Sequence, residues 1–183
     1  MKTCLIGLLL CGAHATGWAW ELKDGDVVLY RHALAPGGGD PPGFKLGDCS
    51  TQRNLSDAGR VQARQIGEAL RQRLGPVPIG AVWASPWCRT LETARLAFPA
   101  VVPQPQGAFA SFFERPEQET GQLAEARRLL DAWRGPGVLV VVTHQVNVTG
   151  LSGVYPSSGE GVALRPAAGQ LAVLGRLDPP PAP

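Results

Sequence analysis

The stretch that decides the fold reads Val27-Val28-Leu29-Tyr30-Arg31-His32-Ala33. Its first four residues are apolar and mostly β-branched or aromatic, which is typical of a buried strand. Arg31 and His32 follow at once, and polar side chains at the end of a buried strand need polar partners. The stretch therefore predicts a strand that delivers an arginine and a histidine to a polar site.

Strand and helix patterns alternate along the rest of the chain. Strands are predicted over 79–84 and 138–142, helices over 57–74, 89–96 and 117–133, and a closing hairpin over 162–165 and 171–175. This alternation predicts an α/β fold, and we expect a three-layer α/β/α sandwich with a mostly parallel central sheet in a single domain. The segment 138–142 is the most apolar, which favours a central strand buried on both faces.

Ligands of such sheets bind beyond the carboxyl ends of the strands. His32 follows the first predicted strand and His144 follows the central one. Both histidines are therefore expected at the same edge of the sheet, where they are candidates for a binding or catalytic site.

The chain has 183 residues, enough for one domain with a single core. The formal net charge of +2 is too small to indicate binding to nucleic acid. A glycine- and proline-rich loop is predicted over 35–53, and a loop of this length in a domain is usually functional or mobile. We assign residues 20–177 to the domain and expect residues 178–183 to form a disordered proline-rich tail.

The N-terminus has the pattern of a secretory signal peptide. A basic residue, Lys2, precedes an apolar run over 4–12, and small residues follow. The run is shorter than the roughly 20 residues that a spanning helix needs. We therefore predict a signal peptide over 1–19, cleaved after Ala15 or Ala19, and a periplasmic or secreted protein with no stable membrane span. The alternative is a buried N-terminal helix.

Two cysteines, Cys49 and Cys88, remain after the predicted signal peptide is removed. An even pair in an oxidising compartment favours a disulfide bond, and two free buried thiols are the alternative. With these two cysteines and two histidines the mature chain offers too few ligands for a metal site. We expect no metal and no other cofactor.

Four segments, in order, resemble the histidine phosphatase superfamily, in its phosphoglycerate-mutase-like branch. They are Arg31-His32-Ala33, the segment 55–63, the set Ser85-Pro86, Arg89 and Thr93-Ala94, and the apolar strand that ends at His144. The resemblance extends from about residue 26 to residue 175. It implies that His32 is a nucleophile that becomes phosphohistidine, and that Arg31, Arg89 and His144 bind phosphate.

The resemblance also implies a general acid, a glutamate some 25 residues after the second arginine. Glu114 lies at about that distance, and Glu117 and Glu119 are close enough to compete. The neighbouring Phe112 and Phe113 are interpreted as packing residues.

The resemblance and the predicted export together indicate an exported, metal-independent phosphomonoesterase. Its substrate would be a phosphorylated small molecule or an envelope glycan or lipid. Within the superfamily the chain most resembles the exported bacterial group that includes the lipopolysaccharide heptose-phosphate phosphatases. The alternative is a catalytically weak or inactive module of the cell envelope that binds phosphorylated ligands.

Overall fold

A computed structural model describes residues 20–182, and the predicted signal peptide, residues 1–19, lies outside them. The strands are β1 Val27–Arg31, β2 Ile79–Ala84, β3 Gln104–Pro105, β4 Val138–Thr143, β5 Gly161–Ala167 and β6 Gln170–Leu177. The helices are α1 Asp57–Leu74, α2 Cys88–Ala97, α3 Glu119–Ala132 and α4 Gln145–Ser152.

The six strands form one sheet in the order β3-β2-β4-β1-β5-β6. The first four strands in this order are parallel, and β5 and β6 run antiparallel to them as a hairpin. Strand β4 lies between β2 and β1, and all six of its residues are buried. The predicted fold class and the central position of this strand are confirmed.

Alternate residues of the strands point into two apolar layers, because successive side chains of a strand face opposite sides of the sheet. On β1, Val28 and Tyr30 join the core under α1 and α2, whereas Val27 and Leu29 join the core under α3 and α4. Gly67 lets α1 approach α2 closely, since a Cβ atom there would lie 1.9 Å from the carbonyl oxygen of Ala97. The sheet is thus covered by helices on both faces.

Helix α1 begins at Asp57, as predicted. The Ser56 hydroxyl accepts a hydrogen bond from the Gly59 amide at 3.0 Å, and such an N-cap contributes about 1 kcal/mol. Helix α3 begins at Glu119, two residues later than predicted, because residues 116–118 form a 3-10 turn. Helix α4 was not predicted, because its sequence is rich in β-branched residues and contains Gly150.

The start of the predicted disordered tail contacts the domain. The Gln62 side chain donates a hydrogen bond to the carbonyl oxygen of Pro180 at 2.9 Å. Pro179 and Pro180 are both partly buried.

Between residues 20 and 182, no helix combines the length and the apolar character needed to cross a membrane.

Candidate active site

The parallel pairing of β1 with β4 brings the two histidines together. Arg31 is in register with Thr143, so His32 and His144 each follow directly at the carboxyl end of the sheet. The ring centroids of the two histidines are 5.6 Å apart. Arg89, in the first turn of α2, is buried beside them. The structure therefore brings Arg31, His32, Arg89 and His144 to one cavity of about 710 Å³.

His32 is held in a defined tautomer. Its Nδ1 atom lies 2.8 Å from the carbonyl oxygen of Ala33. Because a carbonyl can only accept, Nδ1 carries the proton and Nε2 keeps its lone pair. Burial lowers the pKa of His32 well below its usual value, and the charges of Arg89, Arg53 and Arg31 lower it further. The imidazole is therefore neutral and nucleophilic at neutral pH.

Three arginines surround this imidazole, and sequence reasoning missed one of them. Arg31, Arg53 and Arg89 all line the cavity. Each has a buried Nε atom with no hydrogen-bond partner within residues 20–182. Buried donors are normally satisfied, so three guanidinium groups that each keep an unpaired Nε donor in one cavity indicate a site for an anion. In the sequence, the feature that could have pointed to Arg53 is its position at the end of the long loop, directly before Asn54-Leu55-Ser56.

Asp40 is a second functional candidate that sequence reasoning missed. Its carboxylate accepts hydrogen bonds from Nη1 of Arg89 at 2.8 and 3.0 Å, from the indole of Trp87 at 3.1 Å, and from the backbone amide of Arg53 at 3.0 Å. The side chain is only 6% exposed. Asp40 thus neutralises part of the charge of Arg89 and holds the glycine-rich loop against the cavity.

His144 is also neutral and ordered by hydrogen bonds. Its Nδ1 atom faces Nη2 of Arg89 at 3.4 Å, and its Nε2 atom lies 2.8 Å from the Ser85 hydroxyl. A guanidinium can only donate, so Nδ1 accepts and Nε2 donates to Ser85. Burial, and then the charge of Arg89, lowers its pKa well below the usual value. His144 also precedes the N-terminus of α4, an end that favours anions.

A disulfide bond joins Cys49 to Cys88, with their Cα atoms 5.7 Å apart. Cys49 lies within the glycine- and proline-rich loop, and Cys88 is the first residue of α2, next to Arg89. The Gln52 side chain adds a second link, because its oxygen accepts a hydrogen bond from the Cys88 amide at 3.0 Å. The loop that carries Asp40 is therefore fixed to the helix that carries Arg89.

Of the three glutamates considered as the acid, Glu114 lies at the cavity. It is exposed and lines the cavity opposite Gly39, where a Cβ atom would lie 3.2 Å from its Oε1 atom. Burial lowers the pKa of Arg89, and the carboxylates of Asp40 and then of Glu114 partly offset this lowering. Glu117 does not line the cavity, and Glu119 borders a separate pocket of about 260 Å³.

The charges that line the cavity are four arginines, counting Arg115 at the rim, against the carboxylates of Asp40 and Glu114. With both histidines neutral, the lining has an excess of positive charge that suits a phosphate dianion. In the part of the chain that the structure describes, no group of three or more His, Cys, Asp or Glu side chains is arranged to hold a metal ion.

Comparison with known proteins gives a family match. Residues 27–106, from β1 to the region of β3, match the sequence profile of the histidine phosphatase superfamily (branch 1). This range includes Arg31, His32 and Arg89. No curated protein matches the chain by sequence.

Solved structures with the same fold cover most of the chain. The protein histidine phosphatase SixA complexed with tungstate has 15% identity and a TM-score of 0.56, over 84% of this chain and 97% of that one. A phosphoserine phosphatase from Entamoeba histolytica, in complex with 3-phosphoglyceric acid, has 14% identity and a TM-score of 0.56, over 84% and 96%. A phosphoglycerate mutase from Thermus thermophilus has 18% identity and a TM-score of 0.57, over 84% and 98%.

At these identities the solved structures establish a common fold. The family match adds a similarity in sequence to the histidine phosphatase superfamily (branch 1), but only over residues 27–106, less than half of the chain. This similarity together with the shared fold supports the expectation of a phosphatase.

Proposed function

We propose that this protein hydrolyses phosphomonoesters through a phosphohistidine intermediate on His32. One observation carries the proposal. The neutral His32, with its Nε2 lone pair free, lies among Arg31, Arg53 and Arg89, whose buried Nε donors lack partners within the described chain. A nucleophile surrounded by guanidinium groups is suited to attack at phosphorus.

In the first step the arginines bind the non-bridging oxygens of the substrate phosphate. Nε2 of His32 forms a bond to phosphorus as the bond from phosphorus to the leaving oxygen breaks. Glu114, in its protonated form, gives its proton to the leaving oxygen. The arginines stabilise the charge on the equatorial oxygens during this transfer.

In the second step water attacks phosphorus and the bond to Nε2 breaks. The Glu114 carboxylate takes a proton from this water and is thereby reset as the acid. Phosphate leaves and His32 returns to its neutral form, with its Nδ1 proton still donated to Ala33. Both steps thus need only groups that border the cavity.

Asp40 is poorly suited to be the acid. Its two oxygens already accept four hydrogen bonds, two of them from Arg89, so neither oxygen is open to a leaving group in the cavity. Glu114 has no hydrogen bond of this kind in the structure and faces the open cavity. Glu114 is therefore the proposed acid.

The proposal extends to metal independence and to export. The arginines supply the positive charge that a metal ion supplies in other phosphatases. The signal-peptide pattern and the Cys49–Cys88 disulfide support a periplasmic or secreted protein, because disulfides persist in oxidising compartments. The substrates proposed are phosphorylated small molecules or envelope glycans or lipids, as the resemblance to the lipopolysaccharide heptose-phosphate phosphatases suggests. N-terminal sequencing of the mature protein tests the proposed export, with cleavage expected after Ala15 or Ala19.

Hydrolysis of a chromogenic aryl phosphate in the presence of a chelator tests the activity. We expect turnover with the wild-type protein and none with His32→Ala. Wild-type turnover in His32→Ala would contradict the mechanism, and loss of turnover on adding chelator would contradict metal independence. Binding of inorganic phosphate without turnover of any phosphomonoester would favour the non-catalytic envelope module instead.

A further inference from the structure

The mouth of the cavity carries large apolar side chains that face solvent. Leu46 is 51% exposed, Phe113 62% and Tyr155 69%, and all three line the cavity. Within residues 20–182 only three other large apolar side chains are exposed, Val61, Val102 and Val173, and none of those lines the cavity. Exposed apolar side chains that gather at a pocket mark a surface for a ligand.

An aromatic wall connects this mouth to the phosphate site. The Trp87 ring contacts the His144 ring edge to face at 5.2 Å between centroids. On its outer side Trp87 contacts the Phe44 ring at 5.7 Å. Leu46 follows Phe44 at the mouth, so apolar surface continues from the catalytic histidines to solvent.

The outward position of Phe113 is built into its loop. Phe112 is 4% exposed, and a turn closes behind it where the Arg115 amide donates to the Phe112 carbonyl at 2.9 Å. This turn directs the next residue, Phe113, into the cavity mouth. The interpretation of both phenylalanines as packing residues therefore holds for Phe112 and is wrong for Phe113.

The cavity is much larger than a phosphate group requires. Its volume of about 710 Å³ is within the range of sites that hold drug-sized ligands, roughly 300–1,000 Å³. The arginines and histidines occupy its inner end, so the space beyond them is left for the group that carries the phosphate. That space is bordered by the aromatic wall and by the exposed side chains of the mouth.

We infer that the substrates are amphiphilic phosphomonoesters, in which the phosphate is attached to an apolar chain or ring of several carbon atoms. This inference rests on the proposed function and narrows its substrate class. The phosphate binds among the arginines, and the apolar part lies along Phe44, Leu46 and Phe113. A sugar phosphate would leave these apolar surfaces in contact with polar hydroxyl groups, which gains little from them.

A series of n-alkyl phosphates from ethyl to octyl tests the inference. The leaving alcohols differ little in acidity, so differences in kcat/KM report contact with the chain rather than chemistry. We expect kcat/KM to rise about twofold to fourfold per methylene group that contacts the wall, the factor that corresponds to its burial. Hexyl phosphate should also exceed glucose 6-phosphate. All concentrations are kept below those at which micelles form.

Two variants and a control locate the effect. Phe113→Ser and Leu46→Ser should each flatten the dependence of kcat/KM on chain length. Val102→Ser is the matched control, because Val102 is 85% exposed and lies outside the cavity, and it should leave the dependence unchanged. A chain-length dependence that stays steep in both mouth variants would overturn the inference.

The outcomes separate the inference from the function on which it rests. Equal kcat/KM for ethyl and octyl phosphate would leave the phosphatase proposal standing and remove the amphiphilic substrate. No hydrolysis of any alkyl or aryl phosphate would remove the phosphatase proposal itself, and the inference with it.

Discussion

Asp40 lies where a bound phosphate would compete with it for Arg89. Its carboxylate accepts two hydrogen bonds from Nη1 of that arginine, and both side chains are almost fully buried. The substitution Asp40→Asn keeps the shape of the side chain and removes its charge. We predict that this variant is less stable than the wild type without ligand but binds inorganic phosphate more tightly.

The magnitudes follow from the pair and from its surroundings. Loss of one partner from a buried ion pair costs about 3–5 kcal/mol, and we expect the lower end because the cavity opens to solvent. Asp40 would also repel a phosphate charge on Arg89, by about 3 kcal/mol for unit charges about 5 Å apart at an effective dielectric constant of about 20. Removal of that repulsion corresponds to a phosphate affinity higher by up to about a hundredfold.

Urea unfolding, with and without added phosphate, measures both effects. The free energy of unfolding should fall by about 3 kcal/mol in Asp40→Asn without phosphate, and added phosphate should stabilise the variant more than the wild type. Asp57→Asn is the control, because Asp57 forms a solvent-exposed ion pair with Arg60 and should change stability by less than about 1 kcal/mol. An unchanged stability of Asp40→Asn, or weaker phosphate binding by it, would refute the reasoning.

Three further predictions concern the acid, the disulfide and the histidines. Glu114→Gln should slow hydrolysis of alkyl phosphates about 10²–10⁴-fold and activated aryl phosphates far less, whereas Glu117→Gln should affect neither; equal losses on both substrates would exclude Glu114 as the acid. Mass spectrometry without reductant should show the Cys49–Cys88 link, and reduction should lower the free energy of unfolding by about 4 kcal/mol for its separation of 39 residues; two free thiols in the exported protein would contradict this. Since burial lowers the pKa values of His32 and His144, the unfolded chain binds more protons below about pH 6.5, and stability should fall there by up to about 1.4 kcal/mol per pH unit for each histidine. Urea unfolding between pH 5 and 7 checks this last prediction, and a smaller slope is expected for His32→Ala; a stability independent of pH would contradict it.

The elements predicted from the sequence are those whose local pattern is strong. The apolar runs of β1 and β4 and the capped start of α1 depend on residues close together in the chain. Their order then determines that His32 and His144 meet, because the carboxyl ends of parallel neighbours lie at one edge of the sheet. The fold class and these two histidine positions could therefore be predicted.

Asp40 and Arg53 could not be predicted in the same way. Both lie in or at the end of a glycine- and proline-rich loop, where no periodicity indicates which side chains turn inward. Their positions depend on contacts with α2, through Arg89, Trp87 and the disulfide to Cys88. These contacts join residues 30 to 50 positions apart and follow from tertiary packing rather than from local pattern.

The exposed position of Phe113 at the mouth of the cavity also could not be predicted from the sequence. Two adjacent phenylalanines have the same intrinsic preference for burial, and the sequence does not distinguish them. The turn that begins at Phe112 places one ring in the interior and the other at the cavity. The path of the backbone, rather than the residue type, therefore determines which of the two rings is buried.

The central claim is that His32 carries the phosphoryl group during turnover. The most direct test is to quench the wild-type protein in alkali during hydrolysis of a phosphomonoester and to map the modified residue by mass spectrometry. We predict one added phosphoryl group on the peptide that contains His32, lost on treatment with acid and absent from His32→Ala. A phosphoryl group on His144, or continued turnover with no phosphoryl group on either histidine, would contradict the account.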